Sequence, residues 1–264
     1  TLSSSSAASD VYKRQESKYS TFKQCKLKYR YKYIDYLKED EGLTTDPLHF
    51  GSYIHKILEE GVEATTYQEL EDLAKEFKPN YKFNNTYTPK IDLCLKNFLR
   101  FNASLEETVA TELVYKIDVR DDISLNGIID RVIKGSDDGY LIIDYKTSKR
   151  EKTKVELYQD TQMKGYCYAI HKLYNVTIDK IVIAHYYPIT DNLVTCRYST
   201  VQIHNYIKTI VDEVWRIRKL KKTDFCASEN KFCNWCSYKQ LCPIFNDPHT
   251  VNSRLDERAK KPKR

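Results

Sequence analysis

The stretch GIIDRVIKGSDDGYLIIDYKTSK, residues 127–149, carries the strongest chemical signal in the chain. Asp130 and Asp144 lie seven residues either side of Asp137, the middle of a turn bounded by Gly135 and Gly139. Hairpin register therefore puts the two carboxylates opposite one another, with Cβ atoms about 5 Å apart. Like charges at that spacing repel unless a cation lies between them, and hard oxygen ligands suit Mg²⁺ or Mn²⁺. Side chains alternate along a strand, so Asp144 and Lys146 share one face while Ile143 and Tyr145 take the other. A lysine beside such a site could orient a water and balance the charge of a phosphate. A surface hairpin with an Asp–Lys pair and no function would contain the same residues.

Weaker candidates surround this core. GSYIHKILEE places His55 four residues after Gly51 on a helix, and the missing side chain at Gly51 leaves room for another backbone to approach the imidazole. Glu112 begins the first strand and could add an acid near a metal. Gln162 and Tyr166 form an i, i+4 pair able to reach the same cleft.

A second constellation is made of sulfur. FCNWCSYKQLCP reads Cys233-x2-Cys236-x5-Cys242-Pro243, three thiolates that need a fourth. Cys226 would complete a compact local site of the zinc type. Cys25 would instead tie the first helix to the last segment, ends that show no other obvious connection. Cys94, Cys167 and Cys196 sit in apolar patterns and read as core residues.

The elements that must position these groups follow from periodicity. Phe22, Cys25, Tyr29, Tyr33 and Leu37 predict one helix; a second starts at Pro47, residues 79–90 form a loop, and Ile91 to Leu105 mark a third helix. From Leu113 the period changes to two, giving strands near 113–119, 125–133 and 140–147. One long helix from Val155 to Leu173 follows, then strands at 179–187 and 193–200, a helix at 202–221 and a charged, solvated tail over 247–264. This is an α/β chain with one mixed central sheet flanked by helices, closed by a C-terminal cysteine segment.

In this order, Gly51-x3-His55, Gly127-x2-Asp130, Asp144-x-Lys146 and Gln162-x3-Tyr166 resemble the PD-(D/E)XK nuclease superfamily in its RecB-like branch, from about Tyr19 to Pro243. The resemblance implies a restriction-endonuclease-like fold. It implies a metal held by His55, Asp130, Asp144 and the backbone carbonyl of Tyr145, with Lys146 as the catalytic lysine. Gln162 and Tyr166 would position DNA or support the site. A distal Cys25 before these motifs and the C-x2-C-x5-C set after them is similar to the iron–sulfur members: CRISPR-associated exonucleases, AddAB-type nuclease domains and phage relatives. It implies a [4Fe–4S] cluster on Cys25, Cys233, Cys236 and Cys242, with zinc as the alternative. One departure is Lys26, where the family usually has Pro after the first cysteine.

Composition bounds the remainder. The chain has 264 residues, 41% hydrophobic and 30% charged, with 22 Tyr, 9 Phe and 2 Trp against 7 Gly and 7 Pro, which excludes a disordered, fibrous or low-complexity protein. No apolar run approaches the roughly 18 residues of a membrane helix. A net charge of +6 permits a polyanionic partner, and the acid-free run KQCKLKYRYKY interleaves cations with rings as a strand-tracking nucleic-acid surface would. Eight cysteines without a signal peptide fit a reducing, cytoplasmic setting. Residues 1–15, containing SSAASDVYKRQ, read as the translation of a sequencing adaptor, leaving a nuclease domain over 16–246.

The expected function is metal-dependent exonucleolytic hydrolysis of DNA, of single-stranded ends, with nuclease, helicase or CRISPR-adaptation proteins as partners. The alternatives are a non-catalytic nucleic-acid-binding module or a zinc-stabilised interaction protein of the same fold. Polarity, DNA against RNA preference, oligomeric state and a CRISPR, phage or repair setting are open at this level.

Overall fold

The period-two stretches become five strands, β1 (Thr108–Arg120), β2 (Ile123–Lys134), β3 (Tyr140–Tyr145), β4 (Ile181–Tyr187) and β5 (Asn192–Cys196). They lie in the order β1-β2-β3-β4-β5, antiparallel except for β3 against β4, which are parallel. A parallel pair requires a crossover. Two helices supply it, α6 (Lys154–Gln159) and α7 (Thr161–Leu173), where periodicity predicts one. The break is at Asp160, whose extended backbone ends α6 and whose carboxylate accepts from the Gln162 and Met163 N–H groups as the N-cap of α7. This computed structural model describes residues 14–40, 46–120, 122–135 and 137–259. Residues 1–13 of the tract read as adaptor lie outside the described residues.

Chain contacts divide the protein into two units. In the first, described here over residues 46–211, helices α3 (Asp46–Glu60), α4 (Tyr67–Phe77) and α5 (Thr88–Ala103) precede the sheet. Phe50, Tyr53, Ile54, Ile57 and Leu58 of α3 are buried with Leu70 of α4, Phe98 of α5, and Ile143, Tyr145, Ala184 and Tyr186 of the sheet. Ile143 and Tyr145 thus face this apolar layer, as alternation along β3 requires, which turns Asp144 the other way. The α4 helix has no counterpart in the sequence reading, although its start carries a local signal. Thr66 and Glu69 form a capping box, each side chain accepting from the other's backbone N–H.

The second unit joins residues 14–40 to 212–259. The predicted first helix is two, α1 (Arg14–Gln24) and α2 (Lys26–Tyr33), because Cys25 is extended, with φ −162° and ψ 116°. Lys26 takes the first helical position, where proline is pre-organised but not obligatory. Helix α8 (Thr200–Arg218) runs from one unit into the other. Residues 248–259 are not the solvated tail expected from their charge. They form α9 (Pro248–Ala259), on which Val251 is buried, Leu255 packs beside Tyr238 and Leu241, and Arg258 donates to the Lys38 carbonyl at 2.9 Å. No described helix is long and apolar enough to cross a membrane.

Candidate active site

Strand β2 places Asp130 between two partners. On the β1 side the ladder pairs Thr111 with Arg131 and Leu113 with Ile129, but skips Glu112 and Asp130. Glu112 there has φ 44°, in the left-handed region that costs a residue with a Cβ roughly 1–2 kcal/mol. Such strain persists where the surroundings demand it, commonly at functional sites. Its effect here is a cluster: one ligand atom each from His55, Glu112 and Asp130 lies within 4.8 Å of the other two. Asp130 Oδ2 accepts from the Tyr145 N–H at 2.8 Å and lies 3.4 Å from His55 Nδ1. Burial pulls the His55 pKa down against the opposing pull of Asp144, Glu112 and a hydrogen bond to the Tyr145 backbone, so the ring is neutral at neutral pH. A neutral imidazole is the form that binds metals.

On the β3 side the ladder runs through Val132 with Ile142 and ends at Arg131 with Ile143, the pair next to Asp130 and Asp144. Asp144 is 2% exposed and ion-pairs with Lys146. Burial alone would lower the Lys146 pKa, but Asp144, Asp130 and Asp160 outweigh it and the ammonium is held charged. The Lys146 backbone N–H donates to the Tyr186 carbonyl at 2.9 Å, anchoring the residue to β4. Glu112 and Asp130 thus cluster with the neutral imidazole of His55, while Asp144, outside that group of three, pairs with Lys146 and lies beside His185. That excess of negative charge on hard oxygens, with one nitrogen donor, fits Mg²⁺ or Mn²⁺.

His185 has no place in the sequence reading. The parallel ladder sets it opposite Asp144, and its Nε2 lies 3.5 Å from Asp144 Oδ2 in a fully buried position. Burial drives its pKa down to about 4, with Lys146 and Lys152 pulling the same way against Asp144 and Asp160. IVIAHYY is a continuous apolar-looking strand, and only the parallel pairing turns its histidine towards the acid. Glu112 does not begin the first strand as expected: β1 starts at Thr108, and the irregular backbone that aims Glu112 lies within it.

Gly51 makes room differently from the expectation. A Cβ there would sit 3.1 Å from the Thr147 hydroxyl, so the approaching group is a side chain just after Lys146 rather than a backbone. Gln162 and Tyr166 bond to each other, Nε2 to the phenol oxygen at 2.6 Å, at the start of the helix that Asp160 caps. Tyr166 is buried edge-on against Tyr115, which lies across Gly127. A Cβ at Gly127 would fall 2.8 Å from the Tyr115 hydroxyl and 3.0 Å from its ring. The glycine of the Gly127-x2-Asp130 motif thus supports Tyr115 and, through it, the Gln162–Tyr166 pair. Gly127→Ala is expected to cost about 1–3 kcal/mol by overpacking, read as a fall in the denaturation midpoint; an unchanged midpoint would contradict this.

In the second unit, Cys25, Cys233, Cys236 and Cys242 line one cavity with Gln24, Lys28 and Lys239. Cys226 is exposed and does not line it. Burial pushes the Cys236 and Cys242 thiols up, and the neighbouring cysteines push further. Four cysteine side chains on one cavity are a donor set of the kind that soft metals take. The two ends are also tied without sulfur, which corrects the expectation of no other connection. Leu27 and Tyr31 form a small core with Tyr238 and Leu241, and Tyr31 and Tyr238 donate to the carbonyls of Leu241 and Leu37 at 3.0 and 2.9 Å. The basic run is largely spoken for: Arg30 pairs with Asp35, Lys32 with Glu39, and Lys28 donates to Gln24.

Residues 16–243 match the model of the PD-(D/E)XK nuclease superfamily. A component of the ATP-dependent helicase/deoxyribonuclease of Streptococcus agalactiae, the same in its serotype Ia, V and III strains, is 25% identical over 158 residues. That match covers 54% of this chain and only 15% of the relative. The crystal structure of a candidate exonuclease from Eubacterium rectale superposes with a TM-score of 0.56 at 14% identity, over 90% of this chain and 93% of that one, a likeness of fold.

Proposed function

This chain belongs to the PD-(D/E)XK nuclease superfamily, and from that premise we propose that it is a divalent-metal-dependent exodeoxyribonuclease acting on single-stranded ends, with an iron–sulfur cluster on Cys25, Cys233, Cys236 and Cys242. The observation that carries the catalytic part is the cluster of neutral His55 with Glu112 and Asp130 beside the Asp144–Lys146 pair. His55, Glu112, Asp130, Asp144 and the Tyr145 carbonyl are the residues that would hold the cation. A divalent cation there supplies an activated water and offsets phosphate charge. Lys146, kept charged by its acids, orients the attacking water and balances the phosphate. The Tyr145 N–H holds the Asp130 carboxylate in place, and Gln162, fixed by Tyr166, positions the strand. The test is digestion of end-labelled DNA: linear single strands should shorten from an end in Mg²⁺ or Mn²⁺ while circular single strands persist. Cleavage of circles at the same rate would overturn the exonuclease reading.

His185 acts through Asp144, packing against the carboxylate that Lys146 already pairs with and adding to its fixed orientation. His185→Phe should lower activity about 10- to 100-fold and raise the Mg²⁺ concentration needed for half-maximal rate. An unchanged metal requirement would reduce the residue to packing.

The name of the streptococcal relatives joins a helicase to a deoxyribonuclease, and a helicase partner would supply this chain with the single strands it takes. Residues 1–15 remain proposed as foreign to the fold. A chain starting at Glu16 should keep the activity and denaturation midpoint of the full sequence; a fall of several degrees would make the tract part of the protein.

A further inference from the structure

The cysteine segment exposes three large rings. Phe232, Trp235 and Phe245 are 48%, 60% and 40% exposed, and none packs against another ring among the described residues. Phe232 and Trp235 lie three apart on a 3₁₀ turn, closed by the Trp235 N–H donating to the Phe232 carbonyl at 3.1 Å. Side chains at that spacing on a 3₁₀ turn stand on the same side. Phe232 and Phe245 line the same cavity, alongside the four cysteines. Two of the rings therefore border the cavity, and Trp235 stands on the same side of the turn as Phe232.

Cations accompany them. Lys231 Nζ lies 5.2 Å from the Phe232 ring centre and Lys239 Nζ 5.1 Å from that of Phe245. Lys239 also donates to Asn234 beside Trp235, at 2.9 Å, and Lys28 lines the cavity. Over residues 228–245 the single acid is Glu229. A purely apolar partner would leave these ammonium groups desolvated without a counter-charge. Unpaired bases offer flat π-faces to the rings and phosphates to the lysines, whereas a duplex hides its base faces. In the KLKYRYKY run, where the sequence suggested such a surface, Arg30 and Lys32 are ion-paired with Asp35 and Glu39.

We propose that Phe232, Trp235 and Phe245, with Lys231 and Lys239, form a stacking platform that binds single-stranded DNA independently of the metal site. This rests on the single-strand reading above and locates where that strand is held. Phe232 and Phe245 also line the cysteine cavity, so Trp235, which does not, is the decisive position.

The test is fluorescence anisotropy of an oligo(dT) of about 16 nucleotides with the full chain, purified anaerobically and measured in EDTA, where no cleavage competes. Trp235→Ala should weaken binding about tenfold and Trp235→Phe by much less, with visible absorbance unchanged; Phe232, Trp235 and Phe245 together changed to Ala should lose about a hundredfold. In Trp215→Phe protein the remaining tryptophan should be quenched by the strand. Lys231→Gln and Lys239→Gln should each lower the salt slope by about 0.7. Equal affinity of the Trp235→Ala and triple variants to the unaltered chain, or equal competition by duplex, would overturn the platform while leaving the nuclease reading standing. An unaltered chain that neither binds nor cleaves single strands would overturn both.

Discussion

Asp144→Asn protein is expected to lose at least about a thousandfold in DNA hydrolysis while remaining folded, with similar losses for Asp130→Ala and Lys146→Ala. The reason is the charge arrangement at the ends of β2 and β3. Glu112, Asp130 and Asp144 gather more negative charge than Lys146 balances, and neutral His55 adds a nitrogen ligand. Removing one carboxylate weakens the hold on the cation; removing Lys146 leaves buried Asp144 without its ammonium. The amide at Asp144 conserves shape beside Lys146 and His185, so fold and activity can be separated by circular dichroism and a rate assay on the same sample. Chelation should have the same effect, restored by Mg²⁺ and, with an imidazole among the ligands, more strongly by Mn²⁺. Undiminished cleavage in EDTA, or by the Asp144→Ala protein, would sink the assignment.

Cys25→Ser should bleach the brown colour expected of anaerobically purified protein and lower its content from about four irons per chain, whereas Cys226→Ser should leave both unchanged. Cys25 lines the cavity with Cys233, Cys236 and Cys242, while Cys226 is exposed away from it. Loss of the cluster should lower the denaturation midpoint by several degrees without unfolding the whole chain. Leu27, Tyr31, Tyr238 and Leu241 still join the two segments, and Tyr31 and Tyr238 still donate across them. A colourless zinc protein that tolerates Cys25→Ser and fails on Cys226→Ser would show the cysteines to form a local zinc knuckle instead.

Much of the nuclease core was legible because it is written in short-range terms. The turn between Gly135 and Gly139 sets a hairpin, a hairpin sets register, and register brings Asp130 and Asp144 next to the last pair of the ladder with no need of the remaining chain. Alternation then divides Asp144 from Ile143 and Tyr145. The Thr66–Glu69 capping box and the Asp160 cap were equally local. They escaped a reading by apolar period because a cap interrupts or precedes that period rather than belonging to it.

What tertiary structure decided was how residues far apart in the chain meet. Glu112 joins the cluster through a left-handed backbone that its own residue type disfavours, held by the β1–β2 ladder on either side. His185 meets Asp144 only because β3 and β4 pair in parallel across the α6–α7 crossover. That Cys25 rather than Cys226 lines the cavity with the other three cysteines depends on an extended residue between two helices and a small core assembled from residues far apart in the chain. The exposure of Phe232, Trp235 and Phe245 has the same origin: only the packing of the surrounding segment leaves these large rings facing solvent. Spacing along the chain determines which groups can be neighbours within an element, while contacts between elements depend on the balance of burial over all of them together.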